Sequence, residues 1–273
     1  MRWAEKPGLV TSMLRAIALA LLLTAAAVPA ASDEDPFISF ISPSERDELL
    51  EGRELTIRWE SGGPIERVRL YRYYRRCLLG GESRGTEGRI LYGQKVPDDG
   101  ERDWVVPWID APAFRLRIAG YDADDELIAE EEIRLEFRPA ELADLPEHAL
   151  AVIKRRQRLY YYVGGQIERM HLISTGVPGK RTPRMQPGDY DPDRGEMGQV
   201  FEKDPNRWSH TYEVWMPYWL QITSTGSHGI HATSQRYYDQ LGSRASAGCV
   251  RQHRHDAAIL YELVGVGTPV YVF

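Results

Sequence analysis

Cys249 stands in the run Ser246-Ala247-Gly248-Cys249-Val250-Arg251, among residues small enough for a substrate backbone to approach its thiol. A free thiol ionises at about 8.5, so at neutral pH it needs a neighbour that lowers its pKa or takes its proton. Histidine suits that task, and five of the seven histidines, His210, His228, His231, His253 and His255, fall within about forty residues of Cys249. A Cys and His pair with small residues around the nucleophile is the arrangement for covalent acyl transfer. Gly248 and Ala247 let a substrate carbonyl approach the backbone, so the amides near Cys249 are candidates for an oxyanion hole. Arg251 offers a planar fork to a carboxylate, and Ser246 reads as a bracing hydroxyl rather than a second nucleophile. His231, in Ile230-His231 at the end of a predicted strand, and His228 both lie within plausible spacing to act as general base. A zinc hydrolase is the mechanistic rival, because His228-x-x-His231 with Cys249, His253 or His255 supplies enough ligands. Gly229 between the two histidines suits neither the helix nor the turns that hold such ligands, so no metal is expected.

How much a cysteine means depends on where the chain works. After Arg2, Lys6 and Arg15, the stretch from Ala16 to Val28 is apolar or small, and Val28-Pro29-Ala30-Ala31-Ser32 supplies cleavage-compatible positions. Residues 1–31 therefore read as a secretory signal peptide, and the periplasm or cell envelope is the expected location. The apolar stretch falls short of the roughly 20 residues needed to cross a bilayer, so no stable membrane insertion is expected. Loss of this segment takes Arg2, Lys6, Arg15 and Glu5 from the 34 basic and 40 acidic residues, leaving 31 against 39 and a net charge of −8. Such an acidic chain is a poor nucleic-acid partner. In an oxidising compartment two cysteines pair by default. Cys77 and Cys249 are far apart and fall in different predicted domains, so Cys249 is expected to be free and Cys77 a structural thiol.

The elements that must position these residues fall into two regions. Between residues 36 and 137, Glu54–Trp59 and Phe114–Tyr121 alternate apolar and polar side chains with the period of a half-buried strand. Further strands are expected at 37–41, 68–74, 89–92, 103–106 and from Leu127 to Phe137. About seven strands in about one hundred residues predict an immunoglobulin-like sandwich, with a small barrel as the alternative. Residues 138–148, polar and carrying two prolines, read as a linker. From Ala149 onward the chain predicts two strands joined at Gly164-Gly165, a long Gly, Pro and Asp-rich loop over 177–199, and an aromatic segment containing Tyr218 and Trp219. A short helix follows with Ala257, Leu260, Tyr261 and Val264 on one face, and Thr268 to Phe273 closes the chain as a strand. The fold class is thus mainly β with one C-terminal helix. The basic run Lys154, Arg155, Arg156 and Arg158 reads as a solvated strand edge.

From about Ala149 to Phe273 the chain resembles the YkuD-type L,D-transpeptidase catalytic domain. The resemblance is carried in order by Ser174-Thr175-Gly176, Thr182-Pro183, Met216-Pro217-Tyr218-Trp219, Ile230-His231, Leu241-Gly242, the box Ser246-x-Gly248-Cys249-x-Arg251, Asp256-Ala257 and Gly267-Thr268-Pro269-Val270. Two departures stand out. Ala247 occupies the position where the box usually carries histidine, and Arg184 to Pro187 replace the usual glycine after the Thr-Pro pair. The resemblance implies Cys249 as nucleophile and His231 as base, with no cofactor. It implies attack on a peptidoglycan tetrapeptide stem of the diaminopimelate type, release of D-alanine, and transfer of the acyl group to an amine. The product would be a 3-3 crosslink or an attached envelope protein, and water as acceptor would make the enzyme a carboxypeptidase. Arg251 would hold a carboxylate or brace the box, and His228, Tyr218 and Trp219 are carried as substrate-facing candidates. Alternation along a strand makes core packing the favoured reading of the aromatic segment as a whole. A non-catalytic wall-binding or scaffold protein is the rival from another class.

Overall fold

The alternation in Glu54–Trp59 and Phe114–Tyr121 is realised as two strands that face each other across one core. A computed structural model describes residues 35–77, 83–91 and 94–273, with residues 77 and 83–90 described in backbone alone. The expected signal peptide, the end of the strand expected at 89–92 and the side chain of Cys77 lie outside the described residues. The N-terminal region contains β1 (Phe37–Ser42), β2 (Glu48–Leu50), β3 (Glu54–Gly62), β4 (Arg67–Cys77), β5 (Ser83–Ile90), β6 (Val96–Pro97), β7 (Glu101–Val105), β8 (Ala113–Tyr121) and β9 (Leu127–Arg138). One sheet has the order β1-β3-β7, the other β2-β9-β8-β4-β5 with β6 also paired to β4. Ile57 and Trp59 from the first sheet and Leu70, Leu116, Ile118 and Leu135 from the second share one buried cluster. Period-two patterning thus produces a two-sheet sandwich with its apolar faces inward. The two short strands β2 and β6 escape sequence reading because two or three residues carry no period.

The C-terminal region builds one mixed sheet from β10 (His148–Ile153), β11 (Arg158–Val163), β12 (Gln166–Gly176), β13 (Tyr190–Asp191), β14 (Gly195–Ser209), β15 (Val214–Thr223), β16 (Gly229–Ala232), β17 (Arg244–Ser246), β18 (Val250–Gln252) and β19 (Val270–Val272). The helix α1 (Arg254–Leu263) packs against β15 and β16, and Leu260 enters the core with Ile230, Val250 and Leu220. The helix ends at Leu263, because Val264 already has extended geometry.

Three expectations need correction. The segment expected as two strands is three: the turn 154–157, with Gln157 at φ 53°, breaks the first before the Gly164-Gly165 hairpin, whose two glycines both have positive φ. Four polar residues in a row concealed a second reversal. Within residues 138–148, Leu142 is fully buried with Ala151, Ile153, Tyr160 and Met170, on the face of β10 to β12 opposite the main core. Both faces of those strands are therefore covered, which explains why β10 reads as a continuous apolar run. The basic run is not a solvated edge. Arg158 is 5% exposed and forks onto Asp110 of the sandwich at 2.7 and 2.5 Å, Arg156 binds Glu51 at 2.7 Å, and Arg155 binds Glu141. These cations dock one region on the other.

Candidate active site

The site is built where two parallel strands end side by side. Ile230 pairs with Val250 and His231 with Arg251, so Ile230 and Val250 share the core face while His231 and Arg251 share the other. Cys249 precedes β18 and stands level with Gly229, whose backbone N–H is directed at its sulfur. The thiol is free, as expected, and partly exposed. Burial pushes its pKa up, opposed by the Gly229 N–H and the Arg251 charge, so the resting group is a neutral thiol.

The turn around the thiol is pinned from both sides. Ser246 Oγ donates to the Cys249 carbonyl at 2.5 Å and accepts from the Gly248 N–H at 3.1 Å, which makes it the brace that its position suggested. Gly248 has φ 129°, a conformation L side chains rarely adopt, and a Cβ there would meet His228 Nε2 at 3.0 Å. His228 therefore packs over the box. The expectation that the Gly248 amide serves an oxyanion is corrected, because Ser246 holds that N–H.

Sequence reasoning gave no role to Thr182. Its buried hydroxyl accepts from the Gly176 N–H at 2.9 Å and donates to the Gly248 carbonyl at 2.7 Å, tying the nucleophile turn to the end of β12. The signal was present in the Thr182-Pro183 motif, but nothing in the sequence said that this threonine reaches residue 248.

His231 is 6% exposed and its Nδ1 lies 2.8 Å from the Ala232 carbonyl. A carbonyl can only accept, so Nδ1 carries the proton and Nε2 keeps its lone pair. Burial holds the imidazole pKa down to about 4, against the opposing pull of the Ala232 carbonyl. His228 is likewise lowered to about 4, by burial and by Arg194. Both rings are neutral at physiological pH, but only His231 lies on β16, which pairs with the strand that follows Cys249.

Trp219 is 1% exposed and corrects its placement as a substrate contact. Its ring lies 5.9 Å from that of His231, and a Cβ on Gly229 would collide with it, so Trp219 packs beneath His231 and Gly229. Tyr218, at φ 57°, turns instead toward α1, with its ring 5.8 Å from Tyr261 and the Arg254 guanidinium 5.5 Å from its centroid. Arg251 donates to the Ala245 carbonyl at 3.3 Å and lies over Tyr237, which is the bracing role of the two expected. His253 caps α1 by accepting from the His255 N–H, and among the described residues no three His, Cys, Asp or Glu side chains gather as a metal-binding group.

Residues 147–272 match the YkuD family, described as the L,D-transpeptidase catalytic domain. The chain carries a domain of that family. Solved structures it resembles include an L,D-transpeptidase from Stackebrandtia nassauensis, at 26% identity over 47% of this chain with a TM-score of 0.39; the match spans 56% of that chain. An L,D-transpeptidase from Mycobacterium smegmatis matches at 15% identity over 87% of this chain and 99% of its own, with a TM-score of 0.40. One from Mycobacterium tuberculosis H37Rv matches at 16% identity over 86% and 96%, also at 0.40. No curated protein matches the chain. The YkuD match ends one residue short of Phe273 and begins at Glu147, close to the start expected at Ala149.

Proposed function

We propose that this chain is an exported L,D-transpeptidase that acylates Cys249 with a peptidoglycan stem peptide and passes the acyl group to an amine. The observation that carries the reading is the pairing of β16 with β18. It sets a free thiol, in a turn braced by Ser246 and Thr182, beside a histidine whose Nε2 is unprotonated. With both groups neutral at rest, the chemistry is general-base catalysis. As the sulfur attacks the carbonyl between the third residue and terminal D-alanine, Nε2 of His231 takes the thiol proton. The Cys249 N–H supports the oxyanion, and the departing amine of D-alanine takes the proton back. The thioester is then attacked by an incoming amine, whose proton passes to His231 and on to the leaving thiolate.

Transfer to a second stem gives a 3-3 crosslink, transfer to an envelope protein anchors it, and transfer to water gives a shortened tripeptide. The signal peptide reading of residues 1–31 puts this chemistry in the periplasm. We read 36–137 as an immunoglobulin-type domain, because the orders β1-β3-β7 and β2-β9-β8-β4-β5 correspond to the two sheets of that sandwich. Residues 138–148 connect it to the catalytic domain at 149–273. Product analysis tests the reading. Tetrapeptide muropeptides incubated with the protein are expected to yield D-alanine and crosslinked dimers, and His231→Gln to lower that yield by about a hundredfold or more. Equal yields from the two proteins would remove His231 from the mechanism.

A further inference from the structure

A cavity of about 500 Å³, with Thr182 in its wall, carries five cations and one carboxylate that the acyl-transfer chemistry does not use. Lys154, Arg155, Arg181, Arg184 and Arg244 line it with Glu141, and Pro183 and Phe273 form an apolar flank. Glu51 and Glu141 neutralise Arg155, and among the described residues the other four cations form no ion pair with a carboxylate. Unneutralised like charges in one cavity repel one another, and in a chain with net charge −6 their gathering is not a by-product of composition. Burial, and then the charges of Arg184, Arg244 and Arg181, lower the Lys154 pKa to about 8. Lys154 Nζ donates to the Thr182 carbonyl at 3.1 Å, and the Thr182 hydroxyl holds the Gly248 carbonyl. The cavity is therefore one residue removed from the box. Arg184 belongs to the stretch where this chain departs from the family's usual glycine.

We propose that this cavity is a docking subsite for a carboxylate-bearing segment of the peptide substrate, with Arg181, Arg184 and Arg244 receiving the carboxylates above Lys154. Guanidinium forks match carboxylates in pairs. The volume suits a short peptide segment rather than a lone ion, and the Pro183 and Phe273 flank gives an aliphatic portion a surface to cover. This subsite rests on the acyl-transfer reading, since it presumes a stem peptide at Cys249.

The test uses Cys249→Ala protein, which binds without turnover, titrated calorimetrically with a tetrapeptide stem, with the same peptide amidated at its carboxylates, and with inorganic phosphate. The free-acid peptide is expected to bind more tightly than the amidated one. Arg184→Gln with Arg244→Gln should weaken its binding by about tenfold or more and flatten its salt dependence. Arg181→Gln alone, with a smaller loss, serves if the double variant does not fold. Equal affinity for the two peptides, or no loss on charge removal in a folded variant, overturns the subsite. Phosphate that binds and is not displaced by the peptide overturns it too, since the cavity would then serve a different anion. Mass spectrometry of Cys249-intact protein separates the two readings. Acyl adducts with charge-independent binding leave the transpeptidase reading intact and remove the subsite. Charge-dependent binding without adducts keeps a carboxylate-binding cavity but removes the transpeptidase reading, and with it the assignment of the cavity to that substrate.

Discussion

His231 on β16 and Cys249, immediately before the parallel strand β18 paired with it, are neutral groups, and that sets the pH behaviour at the level of single residues. Because burial lowers the His231 pKa to about 4, the proposed base keeps a free lone pair throughout the neutral range. The acid limb of kcat/KM is expected near pH 4 with no inflection at 6.5; a limb at the ordinary histidine value would place the proton elsewhere. The same shift bears on stability. Between about 4 and 6.5 the unfolded chain binds protons at His231 and His228 that the folded chain does not, so stability is full above 6.5 and is lost as pH falls toward 4. Denaturant unfolding of His231→Gln across that range should show a shallower loss than wild type. Gly248→Ala should cost most of the acylation rate, because φ 129° and the His228 ring both oppose a Cβ. An unchanged rate there would mean that the turn is not held as described.

Among the elements, the end of β12 and the box form one unit through Thr182. Replacing that hydroxyl by methyl in Thr182→Val keeps the shape and orphans the Gly176 N–H and the Gly248 carbonyl, at about 1–3 kcal/mol for each buried group. Thermal unfolding should therefore move down by several degrees and acylation should slow; a variant with wild-type melting and rate would refute the tie. This unit also shows what was legible in the sequence. The pair Cys249 and His231, the helix face and the Gly164-Gly165 hairpin each have a local signature in residue type or period, and they were readable. Thr182 was not, because its partner is 66 residues away, and nor was the engagement of the Gly248 N–H, which depends on a rotamer of Ser246. Trp219 was misplaced because a buried aromatic under a catalytic residue and an exposed one above it look alike in a strand broken by a positive φ.

For the molecule as a whole, Asp110 and Arg158 join the sandwich to the catalytic sheet in a buried, two-pronged ion pair. Removing one partner strands the other, so Asp110→Asn is expected to cost about 3–5 kcal/mol in equilibrium unfolding. Asp110→Leu combined with Arg158→Met should recover much of that loss, and a single variant with wild-type stability would show that the two regions do not depend on this contact. The sequence concealed the arrangement: a run of Lys and Arg reads as solvated, and only the placement of Asp110 and Glu51 from distant strands turns it into an interface. The central claim remains that the thiol at the end of β18 carries the acyl group. Intact-protein mass spectrometry of the wild-type chain and Cys249→Ala, each mixed with diaminopimelate-containing tetrapeptide muropeptide, tests it most directly. A covalent adduct equal to the peptide less D-alanine, on the wild type alone, is the result predicted. The same mass spectrum from both proteins would contradict it.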